Sequence, residues 1–301
     1  MQITEKIVCT AEDEHREEAK ELASRLDIPF AAADAFSEDC DEILQLRVDE
    51  RGLSMARGGM RLQCDLTKLL PRLRYNNLTH ELVVRAAKNK DMQNSPFAID
   101  ATAGFGEDAL LLAAAGFTVE MYEKDRIIAA LLEDGLRRAA RVPGLAGITA
   151  RMHLHKEDSI PAMRRAGISD VPGQGTAVSG YETAAPAMGP VLRPNIVLLD
   201  PMFPERSGSS QVRKKFQLIH CIEQPCDEEE ELLDAAFAAA PRKILVKRPL
   251  KGAYLAGRTP SYSIRGKAVR YDCFVLTTCT NDSVKLHASD KLSSFRMNKH
   301  F

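Results

Sequence analysis

The chain has 301 residues, 45% of them hydrophobic and 28% charged, with a formal net charge of −1. That is the composition of an ordinary folded protein, long enough for one large domain and a smaller one. It excludes a protein that coats nucleic acid through bulk positive charge and leaves only a local basic groove for that role.

No apolar run reaches the ~20 residues that cross a bilayer. Met1–Lys6 lacks the basic start and apolar core of a signal peptide. A cytoplasmic protein with no membrane partner is expected. The seven cysteines are odd in number and contain no Cys-x-x-Cys, and no His stands at zinc-finger spacing from any of them. They read as reduced thiols, and no metal site is expected.

In chain order, Lys6-Ile7-Val8-Cys9 predicts a short strand. Glu12 to Leu26 predicts a charged helix, because Ala19, Leu22, Ala23 and Leu26 recur at spacings of three and four. The alternating segments Ile43–Val48 and Met60–Leu66, with Asp49–Leu53 between them, predict a hairpin or short meander. Residues 1–92 thus read as a small α/β region, expected on the substrate side of a second domain spanning 93–301.

From Phe97 onward strands and helices alternate. Strands are predicted at Phe97–Asp100, Thr118–Glu123, Met152–His155, Ile196–Asp200, Lys243–Lys247 and Tyr271–Thr278. Helices are predicted at Glu107–Ala115, Ile127–Arg141, near Ser159–Arg165 and around Glu228–Ala239. Repeated β-then-α units imply a mostly parallel, twisted, Rossmann-like sheet with helices on both faces. The run at about 170–194, rich in Gly, Pro, Ala, Ser and Thr, reads as a flexible surface insertion.

Two motifs carry chemistry. Asp100-Ala-Thr-Ala-Gly104-Phe-Gly106 leaves a strand and opens a helix, so its glycines let the backbone approach a ligand closely. Ile196–Leu199 is an apolar run that delivers Asp200-Pro201-Met202-Phe203, a close variant of the Asp-Pro-Pro-Tyr/Phe tetrapeptide with which methyltransferases hold an exocyclic amino group. Four successive strands end in acids: Asp100, Glu123, Glu157-Asp158 and Asp200. The carboxyl edge of a doubly wound sheet is where ligands sit. Glu123 lies about 20 residues past the glycines, where an acid accepts both hydroxyls of a ribose. Glu157-Asp158 is placed to take an adenine amino group.

A nicotinamide enzyme would need a proton-relay group, and none is evident. Asp100–Asp108, Leu131-Leu132-Glu-Asp134-Gly135-Leu136, Leu199–Pro204 and Val246-Lys-Arg-Pro249 resemble the bacterial small-subunit ribosomal RNA guanine-N2 methyltransferases. These are class I enzymes that use S-adenosylmethionine (SAM), and the resemblance covers roughly residues 95–280. It implies that Glu107, Asp108, Glu123, Lys124, Glu157, Asp158 and Asp200 contact the cofactor.

In the expected chemistry, the Asp200 carboxylate and the Pro201 carbonyl accept the two N–H bonds of guanine N2, while Phe203 stacks on the base. Candidate phosphate contacts are Lys247 and Arg248 at a strand end and Lys214 and Lys215 after the motif, with Arg213, Arg72, Arg74 and Arg85 as further basic residues. The expected partner is ribosomal RNA or the small ribosomal subunit. A DNA base, a protein side chain or a small amine is the alternative acceptor. A nucleotide-binding module without catalysis is disfavoured by the intact tetrapeptide.

Overall fold

The computed structural model describes residues 7–36, 43–88, 96–168, 193–201, 218 and 228–276. Among them two sheets form. In the smaller, β1 (Ile7–Ala11) is buried throughout and pairs in parallel with β2 (Phe30–Ala32) and β3 (Leu44–Asp49). β4 (Gly52–Arg57) and β5 (Met60–Leu62) then add as an antiparallel meander.

The meander's first turn is tighter than the sequence suggests. Gly52 adopts a φ of +94° and is already paired with Asp49. Helix α1 (Arg16–Leu26) buries Ala19, Leu22, Ala23 and Leu26 and stops at left-handed Asp27. It starts later than Glu12 because Asp13–His15 form a 3-10 turn.

The larger sheet contains β6 (Phe97–Asp100), β7 (Thr118–Tyr122), β8 (Met152–His155), β9 (Ile196–Leu199), β10 (Lys243–Pro249), β11 (Tyr262–Arg265) and β12 (Val269–Val275). Its order is β11-β12-β10-β9-β6-β7-β8. β6 to β10 run parallel, while β12 runs antiparallel to both of its neighbours. Numbered within the sheet, this is 3-2-1-4-5-7-6 with only the seventh strand reversed.

The helices are α2 (Leu70–Leu73), α3 (Tyr75–Leu78), α4 (Leu82–Ala87), α5 (Glu107–Ala114), α6 (Arg126–Ala139), α7 (Pro143–Thr149), α8 (Ser159–Ile168) and α9 (Glu229–Ala238). Alternate residues of a strand point to opposite faces, so β9 feeds two cores. Ile196 and Leu198 pack with α5, α6 and the small sheet, whereas Val197 and Leu199 pack with α9 and Met163 of α8. Strand β11 and helices α4 and α7 go beyond what the sequence predicts. Each is short, and its apolar residues are too few to set up a period.

A buried carboxylate joins the two sheets. Asp134 of α6 accepts from the Leu53 backbone N–H at 3.1 Å, from Arg137 at 2.7 Å and from Arg138 at 2.8 Å. Arg138 also donates to the Cys64 carbonyl. Gly135 lets Cys64 in, since a Cβ there would lie 2.5 Å from the Cys64 sulfur. The Asp134-Gly135 pair is therefore the joint between the sheets. The 170–194 insertion lies outside the described residues except for Arg193 and Pro194.

Candidate active site at the carboxyl edge of the large sheet

Strands β9, β6, β7 and β8 are adjacent and parallel, so their following residues share one rim. Asp200, Asp100, Glu123 and Asp158 are brought together along it. The turn from β6 to α5 passes through Gly104 at φ +53° and Gly106 at φ +69°, a region that disfavours side chains. A Cβ on Gly106 would meet Leu132 at 2.9 Å, so that glycine serves packing. A Cβ on Gly104 would meet nothing within 4 Å, so the turn is open there to an incoming ligand.

Glu123 closes the same turn from β7. One of its carboxylate oxygens accepts from Gly104 N–H and the other from Asp125 N–H, both at 2.9 Å. Burial pushes its carboxyl up to about 7. Asp125 caps α6 by accepting from the N–H groups of Ile127 and Ile128. Asp158 accepts from the Ile160 N–H at the start of α8. Glu107, Lys124 and Glu157 are exposed at the same edge.

The centre of the rim is a charge cluster. Lys247, at the end of β10, donates to Asp108 at 2.7 Å and sits 3.0 Å from Asp200. Tyr271 of the reversed strand β12 donates its hydroxyl to the same Asp108 oxygen at 2.8 Å. The Asp200 backbone N–H is held by the Thr102 hydroxyl at 2.6 Å.

Burial opposes the Lys247 charge, but Asp108 and Asp200 more than offset it, and the ammonium pKa lies above its usual value. Asp100, 2% exposed, is pushed up to about 8, mainly by burial and then by the Asp108 carboxylate. Two carboxylates thus share one ammonium beside a third, buried acid, an arrangement that favours a cationic ligand.

Two basic residues are placed otherwise than expected. Lys247 lies between carboxylates rather than facing a phosphate. Arg248 is buried, donating to the Ala253 carbonyl at 2.8 Å and pairing with Glu229 at 3.3 Å, because side chains alternate along β10 and this one faces inward. Pro201 is buried at the rim; Phe203, Lys214 and Lys215 lie outside the described residues. Tyr271 and Thr102 escape sequence reasoning, since neither belongs to a recognised tetrapeptide and Tyr271 arrives on a distant strand. Among the described residues no His, Cys, Asp and Glu cluster could hold a metal ion. No helix there is long and apolar enough to cross a membrane.

The strand order, the open glycine turn and the acid-lined rim define a class I SAM-dependent methyltransferase. The residues present suit that cofactor: a turn with free space at Gly104, a buried acid beside it and an excess of negative charge toward its cationic centre. A model of a SAM-dependent methyltransferase family matches residues 33–171 and 178–276. Proteins named ribosomal RNA small subunit methyltransferase J are similar throughout. The one from Thioalkalivibrio sulfidiphilus is 34% identical over 88% of this chain and 95% of its own. The one from Pseudomonas aeruginosa is 33% identical over 86% and 90%. A crystal structure of a SAM-dependent methyltransferase from Neisseria gonorrhoeae superposes with a TM-score of 0.62 at 26% identity, covering 89% of this chain and 95% of that one. The chain belongs to the family of SAM-dependent methyltransferases that includes ribosomal RNA small subunit methyltransferase J.

Proposed function

We propose that the protein methylates the exocyclic N2 amino group of a guanine in small-subunit (16S) ribosomal RNA. The names of its relatives support the RNA. The observation that carries the chemistry is Asp200-Pro201 at the end of β9, fixed by Thr102 and Lys247 beside the open glycine turn. SAM, when bound, supplies a methyl group already activated on a sulfonium.

The residues of the chain bind and align. Gly104 and Glu123 take the ribose end of the donor, Asp158 and Glu157 the adenine side, and Glu107 and Lys124 border the same edge. The carboxylates of Asp100, Asp108 and Asp200 favour the donor's positive end. Guanine N2 is a weak nucleophile because its lone pair is delocalised into the ring. Asp200, held 3.0 Å from the Lys247 ammonium, and the Pro201 carbonyl accept its two N–H bonds, which concentrates the lone pair and stabilises the positive charge that develops on nitrogen. Phe203, three residues on in the sequence, stacks on the base. A base inside a duplex is unreachable, so the target guanine is unpaired or flipped out. The reading carries with it a cytoplasmic site of action.

The test incubates the protein with labelled SAM and small ribosomal subunits from a strain lacking the gene, followed by nuclease digestion and mass mapping. Label on guanine N2 of the RNA is expected. Label on protein or on small molecules alone refutes the assignment.

A further inference from the structure

The exposed cations of this chain fall into two kinds. On α1, α8 and the loop after β10, many are matched to acids, as in Lys20 with Glu17, Arg164 with Glu231 and Arg258 with Asp234. At the site edge of the large sheet Lys124 pairs with Glu228, but a group on the β10 side stands outside such pairs. Arg74, Arg85, Lys251, Arg265 and Lys267 are all exposed, and no ion pair holds any of them among the described residues.

These cations come from three separate segments that the fold gathers beside the rim. Arg265 is level with Arg270, and Arg270 with Arg248, so the β11–β12 turn carrying Arg265 and Lys267 sits beside the end of β10. Lys251 lies in the turn after β10, which Arg270 fixes by donating to the carbonyls of Pro249, Leu250 and Gly252 at 2.7–2.9 Å.

The third segment holds Arg74, Tyr75 and Arg85. Its anchor is a two-bond pair of Arg72 with Glu81 at 2.8 and 2.7 Å, and Arg72 lies within electrostatic range of Asp108 and Glu107. Leu82, at the start of α4, touches the β11–β12 turn: a Cβ on Gly266 would lie 3.0 Å from it. The inner side of this segment, Leu78, Val83, Val84, Ala86 and Ala87, is locked in the core. Its outer side presents Tyr75 at 81% exposure, the most exposed of the large hydrophobic side chains described.

We propose that Arg74, Tyr75, Arg85, Lys251, Arg265 and Lys267 form the surface on which the substrate RNA docks, with phosphates on the cations and a base near the target stacked on Tyr75. The surface deepens the proposed RNA methylation and rests on it. Its logic is charge complementarity: a chain of net charge −1 gathers unmatched cations at one edge, beside a site of three acids that repels phosphate. The cations hold the strand at the margin, and an exposed aromatic face accepts any base without hydrogen-bond readout. Because both turns and α4 are anchored, the platform is preformed.

The test measures filter retention of a labelled small-subunit ribosomal RNA fragment, separately from methyl transfer. R265E/K267E and R74E should weaken binding by about tenfold or more, and each lost phosphate contact should lower the salt-dependence slope by about 0.7. Y75A should weaken binding by roughly tenfold while Y75F restores most of it. In transfer assays these variants should raise the KM for RNA and leave kcat and donor affinity unchanged. Reversal of Arg141, exposed beyond the far end of α6, should change nothing.

Wild-type RNA affinity and salt slope in the variants would overturn the proposal. So would a defect confined to assembled subunits with free RNA bound normally, which would assign the surface to a ribosomal protein. If wild-type protein binds RNA through this surface yet transfers no methyl group to it, the proposed reaction fails and the surface stands.

Discussion

Two acid clusters among the described residues are built on opposite ratios of charge. At the joint between the sheets, one carboxylate, Asp134, meets two guanidinium groups and a backbone N–H. At the rim, Asp108 and Asp200 share one ammonium, Asp108 also accepts from one phenol, and Asp100 beside them has its carboxyl pushed up to about 8. The first cluster is complete by itself and holds the structure together. The second is short of positive charge and, on the proposed function, is completed by the donor. Burial and acidity alone do not separate a functional acid from a structural one; the local balance of charge does.

The largest expected effect separates the clusters outright. Asp200→Ala should lower methyl transfer on the order of 10³-fold, as loss of a preorganised charge partner does, with an unchanged unfolding curve. Near-normal turnover would remove Asp200 from the chemistry. Asp134→Ala should do the reverse. It strands Arg138 and the Leu53 N–H, costing about 3 kcal/mol in chemical denaturation, while transfer per folded molecule stays close to that of the parent. A variant of normal stability would show that Asp134 does not join the sheets.

Lys247→Met sharpens the contrast, since it removes the only ammonium of the cluster. Asp100, whose carboxyl the Lys247 charge holds down against burial, then keeps its proton to higher pH. The acid limb of the rate profile should move up, and transfer at neutral pH should fall roughly a hundredfold. An unmoved acid limb would show that Lys247 does not set the charge of the rim.

A further effect is in the pH dependence of stability. Asp100 titrates near 8 in the folded protein against an ordinary value of 3.8, and Glu123 near 7 against 4.5. Between those values the folded state binds more protons than the unfolded one, so stability falls as pH rises from about 4 to 8 and levels above that. Denaturation midpoints across this range should flatten in Asp100→Asn. Over the same interval donor affinity, read by calorimetry, should rise as the rim ionises. A flat profile in the parent protein would show that the rim acids titrate normally.

Much of this was readable in one dimension. Apolar runs ending in Asp100 and Asp200 mark two buried parallel strands, because such strands need continuous apolar sequence and acids are left where the chain surfaces, and the β-then-α alternation adds those before Glu123 and Asp158. The glycines of the β6–α5 turn are equally plain, since few other residues tolerate a positive φ. These local rules determine the type of fold and the edge at which the acids gather. What each charge does was not readable. Lys247 and Arg248 are neighbours in a basic motif, yet one faces the acids and the other the interior, because side chains alternate along a strand. Tyr271 reaches Asp108 only because a reversed strand slots in beside β10, and Asp134 becomes a joint only because the small sheet lands on α6. Such roles depend on contacts between residues scores of positions apart, which only the packed chain brings within hydrogen-bonding distance.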